Sequence, residues 1–246
     1  MKKDTRLVTA GRNPEENFGI VNPPVYHAST VTFPTVAAME NARENRFESV
    51  FYGRYGTPTS FAFEDAVAAL EGGEKTIAVP SGLAAIAGPL LALLKAGDHV
   101  LVVDNVYHPT RKFCDHVLAG FGVETTYYDP MVGGAIAELM RPRTKVVFVE
   151  APGSLTFEVQ DIPAIAEEAH KGGATVIMDN TWSAGYFFQP FEHGVDVSVQ
   201  AATKYIVGHS DAMLGVITTS RELFPIIKAR TVDVGYAAAP DDCYLG

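Results

Sequence analysis

Cysteine is scarce in this chain: Cys114 and Cys243 are the only two in 246 residues. That excludes a fold stapled by disulfides and fits a reducing, cytoplasmic setting. Long apolar runs are missing too. The nearest candidate, "LAAIAGPLLALLKAGD", is broken by Pro89 and ends in charge, well short of the roughly 18 residues of a membrane span. The opening "MKKDTRLVTAGRNPEENFG" is basic with no apolar stretch behind it, which excludes a secretory signal. Positive charge is short: 19 Lys and Arg against 29 Asp and Glu give a formal charge of −10. Such a chain is a poor non-specific ligand for nucleic acid or an anionic membrane. No metal-ligand spacing stands out, since His209 and Asp211 lack partners at usable intervals. There is no internal repeat and no low-complexity tract.

What is present is apolar mass. Hydrophobic residues make up 47% of the chain, enough for a substantial core. Residues 1 to 60 show weak periodicity punctuated by Pro14, Pro23, Pro24, Pro34 and Pro58. They read as an extended arm with little regular structure, lying over another subunit. Residues 61–246 read as one domain. "FEDAVAALEGG" is helical and stops at Gly72-Gly73; "SGLAAIAGPLLALLKAGD" is a helix capped by Ser81 and ended by Gly97. "TIAVP", "HVLVVD", "VETTYYD", "TKVVFVE", "ATVIMD", "DVSVQ" and "AMLGVITTS" read as strands. "PTRKFCDHVLAGFG", "GGAIAELM" and "IPAIAEEAHKGG" are the helices between them. Strands apolar on both faces, alternating with helices, predict an α/β domain with a mostly parallel sheet covered on both sides.

In such sheets ligands sit where the strands end, so the residues just after each strand matter most. Ser81, Gly82 and Leu83 follow "TIAVP" at a helix start, which serves either as a plain cap or as an anion cradle. Tyr107 follows "HVLVVDNV", either packed near the surface or stacked on a flat ligand. Asp179 closes "ATVIMD", either capping a turn or facing a ligand cation. Thr203 and Lys204 follow "DVSVQ". A lysine is usually a solvated charge, but the small residues before Lys204 and "GHSD" after it predict a close-packed turn and a shielded amine. An anion cradle, a stacking ring, a carboxylate and an amine are together what pyridoxal 5'-phosphate requires.

"FYGRYGTPTSFAFEDAVAALEGG", "VPSGLAAI", "DNVYHPT", "MDNTWSAG" and "QAATKYIVGHSDAMLG" resemble the Cys/Met-metabolism family of pyridoxal-phosphate enzymes. These have the aspartate-aminotransferase-like fold (fold type I), and the matching stretches extend over nearly the whole chain. "DNTW" and "QAATKY" look most like the cystathionine β-lyase branch.

The resemblance implies that Lys204 is the Schiff-base lysine and proton shuttle. It implies that Asp179 holds the pyridine nitrogen, that Tyr107 stacks on the ring and helps activate the substrate, and that Ser81, Gly82, Leu83 and Thr203 surround the phosphate. Tyr52 and Arg54 would reach the phosphate of a neighbouring subunit, in a homo-oligomer expected to be a tetramer of shared-site dimers. The activity implied is α,β-elimination of L-cystathionine in methionine biosynthesis. The alternatives are γ-elimination or γ-replacement, or an idle cofactor-binding fragment. Family members carry a further C-terminal domain of roughly 100 to 150 residues that supplies the substrate-carboxylate arginine. No residue up to the final "DDCYLG" matches that role.

Overall fold

The protein, seen in a computed structural model, is described over residues 2–246. Its strands are β1 (Lys75–Val79), β2 (His99–Val103), β3 (Glu124–Tyr128), β4 (Thr144–Glu150), β5 (Thr175–Asp179), β6 (Val197–Gln200) and β7 (Gly215–Thr219). They form one sheet in the order β1-β7-β6-β5-β4-β2-β3. Strands β2 to β6 pair in parallel, while β7 runs antiparallel to both β1 and β6. The apolar runs explain the burial. Val146, Val147, Phe148 and Val149 are consecutive in β4 and all fully buried. Each contributes about 1.5–3 kcal/mol, and only a sheet covered on both faces can bury four in a row.

The helices are α1 (Lys3–Thr9), α2 (Val36–Glu44), α3 (Pro58–Glu71), α4 (Gly82–Leu93), α5 (His108–Lys112), α6 (Ile162–Lys171), α7 (Phe224–Asp233) and α8 (Pro240–Leu245). Helix α5 runs on into one wider turn at Phe113–Leu118. The Asp161 carboxylate accepts the Ala164 N–H and starts α6, which buries Ile162, Ile165, Ala166 and Ala169 against the sheet.

Three expectations need adjusting. The first 60 residues hold more regular structure than an extended arm with little of it: α1, a 3₁₀ turn at Pro14–Asn17 and α2, none of which buries a residue. Thr35 caps α2 by accepting the Ala38 N–H. Helix α4 ends at Leu93, before Gly97. The Asp98 carboxylate accepts the Lys95 N–H at 2.9 Å and closes a turn there instead, with Gly97 at a φ of +89°. "GGAIAELM" forms a 3₁₀ stretch, Gly133–Leu139, rather than an α-helix; its paired glycines favour no helix start.

The topology determines where chemistry can occur. Because β7 is reversed, its first residue lies at the edge where the parallel strands end. Register pairs Val79 with Gly215, Gln200 with Val216, Val199 with Asp179, and Asp179 with Glu150. Among the described residues no helix is long and apolar enough to cross a membrane.

Candidate active site at the carboxyl edge of the sheet

The turn from β1 into α4 is wedged tightly. A Cβ on Gly82 would sit 2.6 Å from the Ala201 Cβ, and one on Gly215 would sit 2.1 Å from the Ser81 carbonyl oxygen. Gly82 is therefore required by the exit of β6 pressing on α4, and not only by a ligand's approach. The Ser81 hydroxyl accepts the Ala84 N–H at 3.1 Å, and the Ser81 carbonyl accepts the Ala85 N–H at 3.0 Å. The N–H groups of Gly82 and Leu83 have no acceptor among the described residues. Two open donors at the positive end of a twelve-residue helix suit an anion.

Asp179 is buried at the end of β5. Its Oδ1 accepts the Thr181 N–H at 3.0 Å and the Thr181 hydroxyl at 2.6 Å. The two sequence readings of this residue thus coexist, since it closes a turn and still offers a second carboxylate oxygen. Burial raises its pKa, against the lowering effect of those two hydrogen bonds. Beside it stands Glu150, whose Oε2 accepts the Tyr107 N–H at 2.8 Å. Burial, then the neighbouring Asp179 charge, push Glu150 up to about 8.

That shift has a measurable sign. The folded chain holds the Glu150 proton to higher pH than the unfolded chain, where it ionises near its ordinary 4.5. The folded state holds the extra proton, so this stability is fully present below pH 4.5 and is lost as pH rises through about 8. Between pH 7 and pH 9 the expected loss is on the order of 1 kcal/mol, a few degrees in thermal midpoint. Asp179, Glu71 and Glu64 are also raised by burial, so Glu150→Gln isolates this share. Its midpoint should fall less than the wild type's over that interval; an equal fall would refute the assignment.

Lys204 departs from expectation. It lies in a close turn, donating its N–H to the Ala201 carbonyl at 2.9 Å, but the side chain is exposed. The turn projects beyond the strand ends, so no wall of the chain covers the amine. Among the described residues that amine has no hydrogen-bond or ion-pair partner. A chain of contacts ties the turn to Asp179, because the Ala201 N–H donates to the Thr181 hydroxyl oxygen at 2.9 Å. The Thr203 hydroxyl donates to the Leu214 carbonyl at 3.0 Å and accepts the Leu214 N–H at 2.8 Å. It already closes the loop from 203 to 214. Trp182, which follows Asn180 and Thr181, is 43% exposed. It packs edge-on to Phe157 and against Tyr205, centroids 5.3 and 5.8 Å away. Cys114 is buried, with its thiol pushed up to about 12 by burial.

Tyr52 and Arg54 do not join this group within the chain. Arg54 donates to the Val232 carbonyl on α7 and lies over the Tyr55 ring. It lines a separate cavity of about 280 Å³ with His27, Glu64 and Lys228.

Sequence reading missed two carboxyls, Glu150 and Glu71. Glu71 is fully buried under the same edge. Its Oε1 accepts from the Asn180 side-chain amide at 3.0 Å, the Ser198 hydroxyl at 3.0 Å and the Gln200 side-chain amide at 2.5 Å. Its place at the end of an amphipathic helix resembles that of any solvated charge. Glu150 carried a better signal, an acid ending a wholly apolar strand just as Asp179 does.

The residues present fit pyridoxal phosphate. Open N–H donors suit its phosphate, the buried carboxylate suits its ring nitrogen, and the unpartnered amine suits its aldehyde. The comparisons agree. The family model for Cys/Met metabolism PLP-dependent enzymes (PLP, pyridoxal phosphate) matches residues 4–246. A Rhizobium johnstonii protein with a provisional cystathionine beta-lyase description is 51% identical over 98% of this chain and 60% of its own length. Cystathionine beta-lyase MetC of Escherichia coli is 41% identical over 99% of the chain and 62% of its own length. The solved cystathionine gamma-lyase of Lactobacillus plantarum, complexed with L-serine, is 32% identical with a TM-score of 0.91, over 100% of this chain and 62% of that one. The chain therefore spans about three-fifths of the length of these relatives. With the family motifs, the fold and the strand-edge geometry all agreeing, the chain belongs to the Cys/Met metabolism family of PLP-dependent enzymes.

Proposed function

We propose that this chain carries the cofactor-binding half of a carbon–sulfur lyase that performs α,β-elimination on L-cystathionine. The observation that supports this best is the gathering, at one sheet edge, of two open N–H groups, a buried aspartate and an unpartnered lysine. The high identity to proteins described as cystathionine beta-lyases supports the choice of reaction.

In this reading Gly82 and Leu83 donate to the phosphate. Thr203 adds its hydroxyl only by exchanging the Leu214 carbonyl for the ligand. Asp179 keeps a proton on the ring nitrogen, and Tyr107 lies along the ring. Bound pyridoxal phosphate supplies an electron sink for negative charge at the substrate's α-carbon. The Lys204 amine takes the α-proton, and Lys204 or the Tyr107 hydroxyl returns a proton to the departing sulfur. With one water consumed, cystathionine gives homocysteine, pyruvate and ammonia. Arg54, held by α7 in its own chain, serves together with Tyr52 the site of a second copy, as the loosely packed arm suggests.

The likeness to a cystathionine gamma-lyase favours one second reading, γ-elimination on the same scaffold. Product analysis decides between them. Incubation with L-cystathionine and cofactor should release pyruvate, and 2-oxobutyrate in its place would overturn the β-elimination.

A further inference from the structure

Glu150 has no role in the function proposed so far, yet it is a buried side chain with a partner at the edge. It ends β4 in register with Asp179 and is 4% exposed. Its backbone is fixed as well. The Gln160 side-chain amide donates to the Glu150 carbonyl at 2.6 Å, while Gln160 Oε1 accepts the Tyr128 hydroxyl at 3.2 Å. From this anchored position the carboxyl takes the Tyr107 N–H at 2.8 Å.

Tyr107 needs such a strut. It stands at the exposed start of the short helix α5, and no side chain caps that helix. Its carbonyl is occupied by the N–H groups of Thr110 and Arg111, at 2.9 and 3.2 Å. Those bonds join it to its own helix, not to the sheet. The Glu150 contact ties the Tyr107 backbone directly to a sheet strand.

We infer that Glu150 is a positioning residue: by holding the Tyr107 backbone against the strand next to Asp179, it sets the Tyr107 ring against the cofactor ring. The inference rests on the functional reading above, because it needs a ring for Tyr107 to meet. Glu150 touches neither substrate nor cofactor in this role; it acts through Tyr107.

A double-mutant cycle on the cofactor-loaded protein tests it. Glu150→Met keeps the volume and removes the acceptor, Glu150→Gln keeps the acceptor, and Tyr107→Ala removes the ring. Affinity for pyridoxal phosphate is read from the visible absorption of the bound cofactor, and its surroundings from circular dichroism in the same band. Glu150→Met should weaken binding about tenfold, the loss of one buried hydrogen bond, and change the dichroic band. Glu150→Gln should restore both. In a Tyr107→Ala background, Glu150→Met should add almost nothing.

Full additivity, or a Gln variant as impaired as the Met one, would overturn the inference and leave the functional reading standing. Should the Met variant fail to fold, the Gln variant still decides, since anything well below wild-type affinity refutes the role. A wild-type protein that takes up no cofactor would remove the functional reading and this role with it.

Discussion

Replacing Lys204 by alanine should leave the fold intact and lower turnover of L-cystathionine by about a thousandfold or more. The first half follows from position. The side chain is exposed and makes no polar contact among the described residues, and surface substitutions of that kind typically shift stability by no more than about 0.5 kcal/mol. The second half follows from the proposed work. A positioned general base is worth roughly 10²–10⁴ in rate, and in that proposal the same amine would also hold the cofactor covalently. Pyruvate release measures the rate, and thermal unfolding measures the fold. A variant that turned over at the wild-type rate would sink the mechanism. One that lost activity only by unfolding would mean that the turn holding Lys204 is a packing element.

Glu71→Ala should have the opposite profile, with stability lost first. Glu71 Oε1 receives three donors, from Asn180, Ser198 and Gln200, and the residue is 0% exposed. Its removal strands those donors in the interior, where each unpaired group costs about 1–3 kcal/mol. With some relaxation the expected loss is about 4 kcal/mol, read as a lower denaturant midpoint with an unchanged slope. Glu71→Gln keeps a carbonyl acceptor and should recover most of it. Burial raises the Glu71 pKa, so this carboxyl favours folding most below its ordinary 4.5, and that contribution fades as pH rises. The Gln variant should therefore be less sensitive to rising pH than the wild type. An alanine variant within about 1 kcal/mol of wild type would show that water replaces the carboxyl without loss.

Much of this was legible in the residues. Apolar runs such as "TKVVFVE" and "ATVIMD" announce strands buried on both faces, and the residues at four strand ends follow from asking where such strands stop. The direction of β7 was not legible, because a five-residue strand, Gly215–Thr219, looks the same run either way. Nor was the early end of α4. Asp98 reads as a surface charge, and only the folded turn shows it accepting the Lys95 N–H. The exposure of Lys204 was misjudged for a related reason. Small neighbours predict a tight turn, which is correct, but not whether that turn points into the domain or beyond it. Glu71 is not legible because a lone acid on a helix carries no mark of burial, while the mark on Glu150, the end of an apolar strand, does not show what it binds. Their partners come from far along the chain, Asn180 for one and Tyr107 for the other.

The reversed strand has one more consequence. Since β7 starts at the edge where β6 ends, the segment from Thr203 to Leu214 leaves and rejoins the sheet at the same edge. Its two feet are clamped together, with the Thr203 N–H on the Leu214 carbonyl at 2.9 Å and the Leu214 N–H on the Thr203 hydroxyl at 2.8 Å. Lys204 stands directly on the first foot. Gly208 belongs to that clasp, its N–H on the Lys204 carbonyl at 2.9 Å, while the exposed His209, Ser210 and Asp211 hang beyond it. A family built on this plan can diversify what surrounds the amine while inheriting its position unchanged.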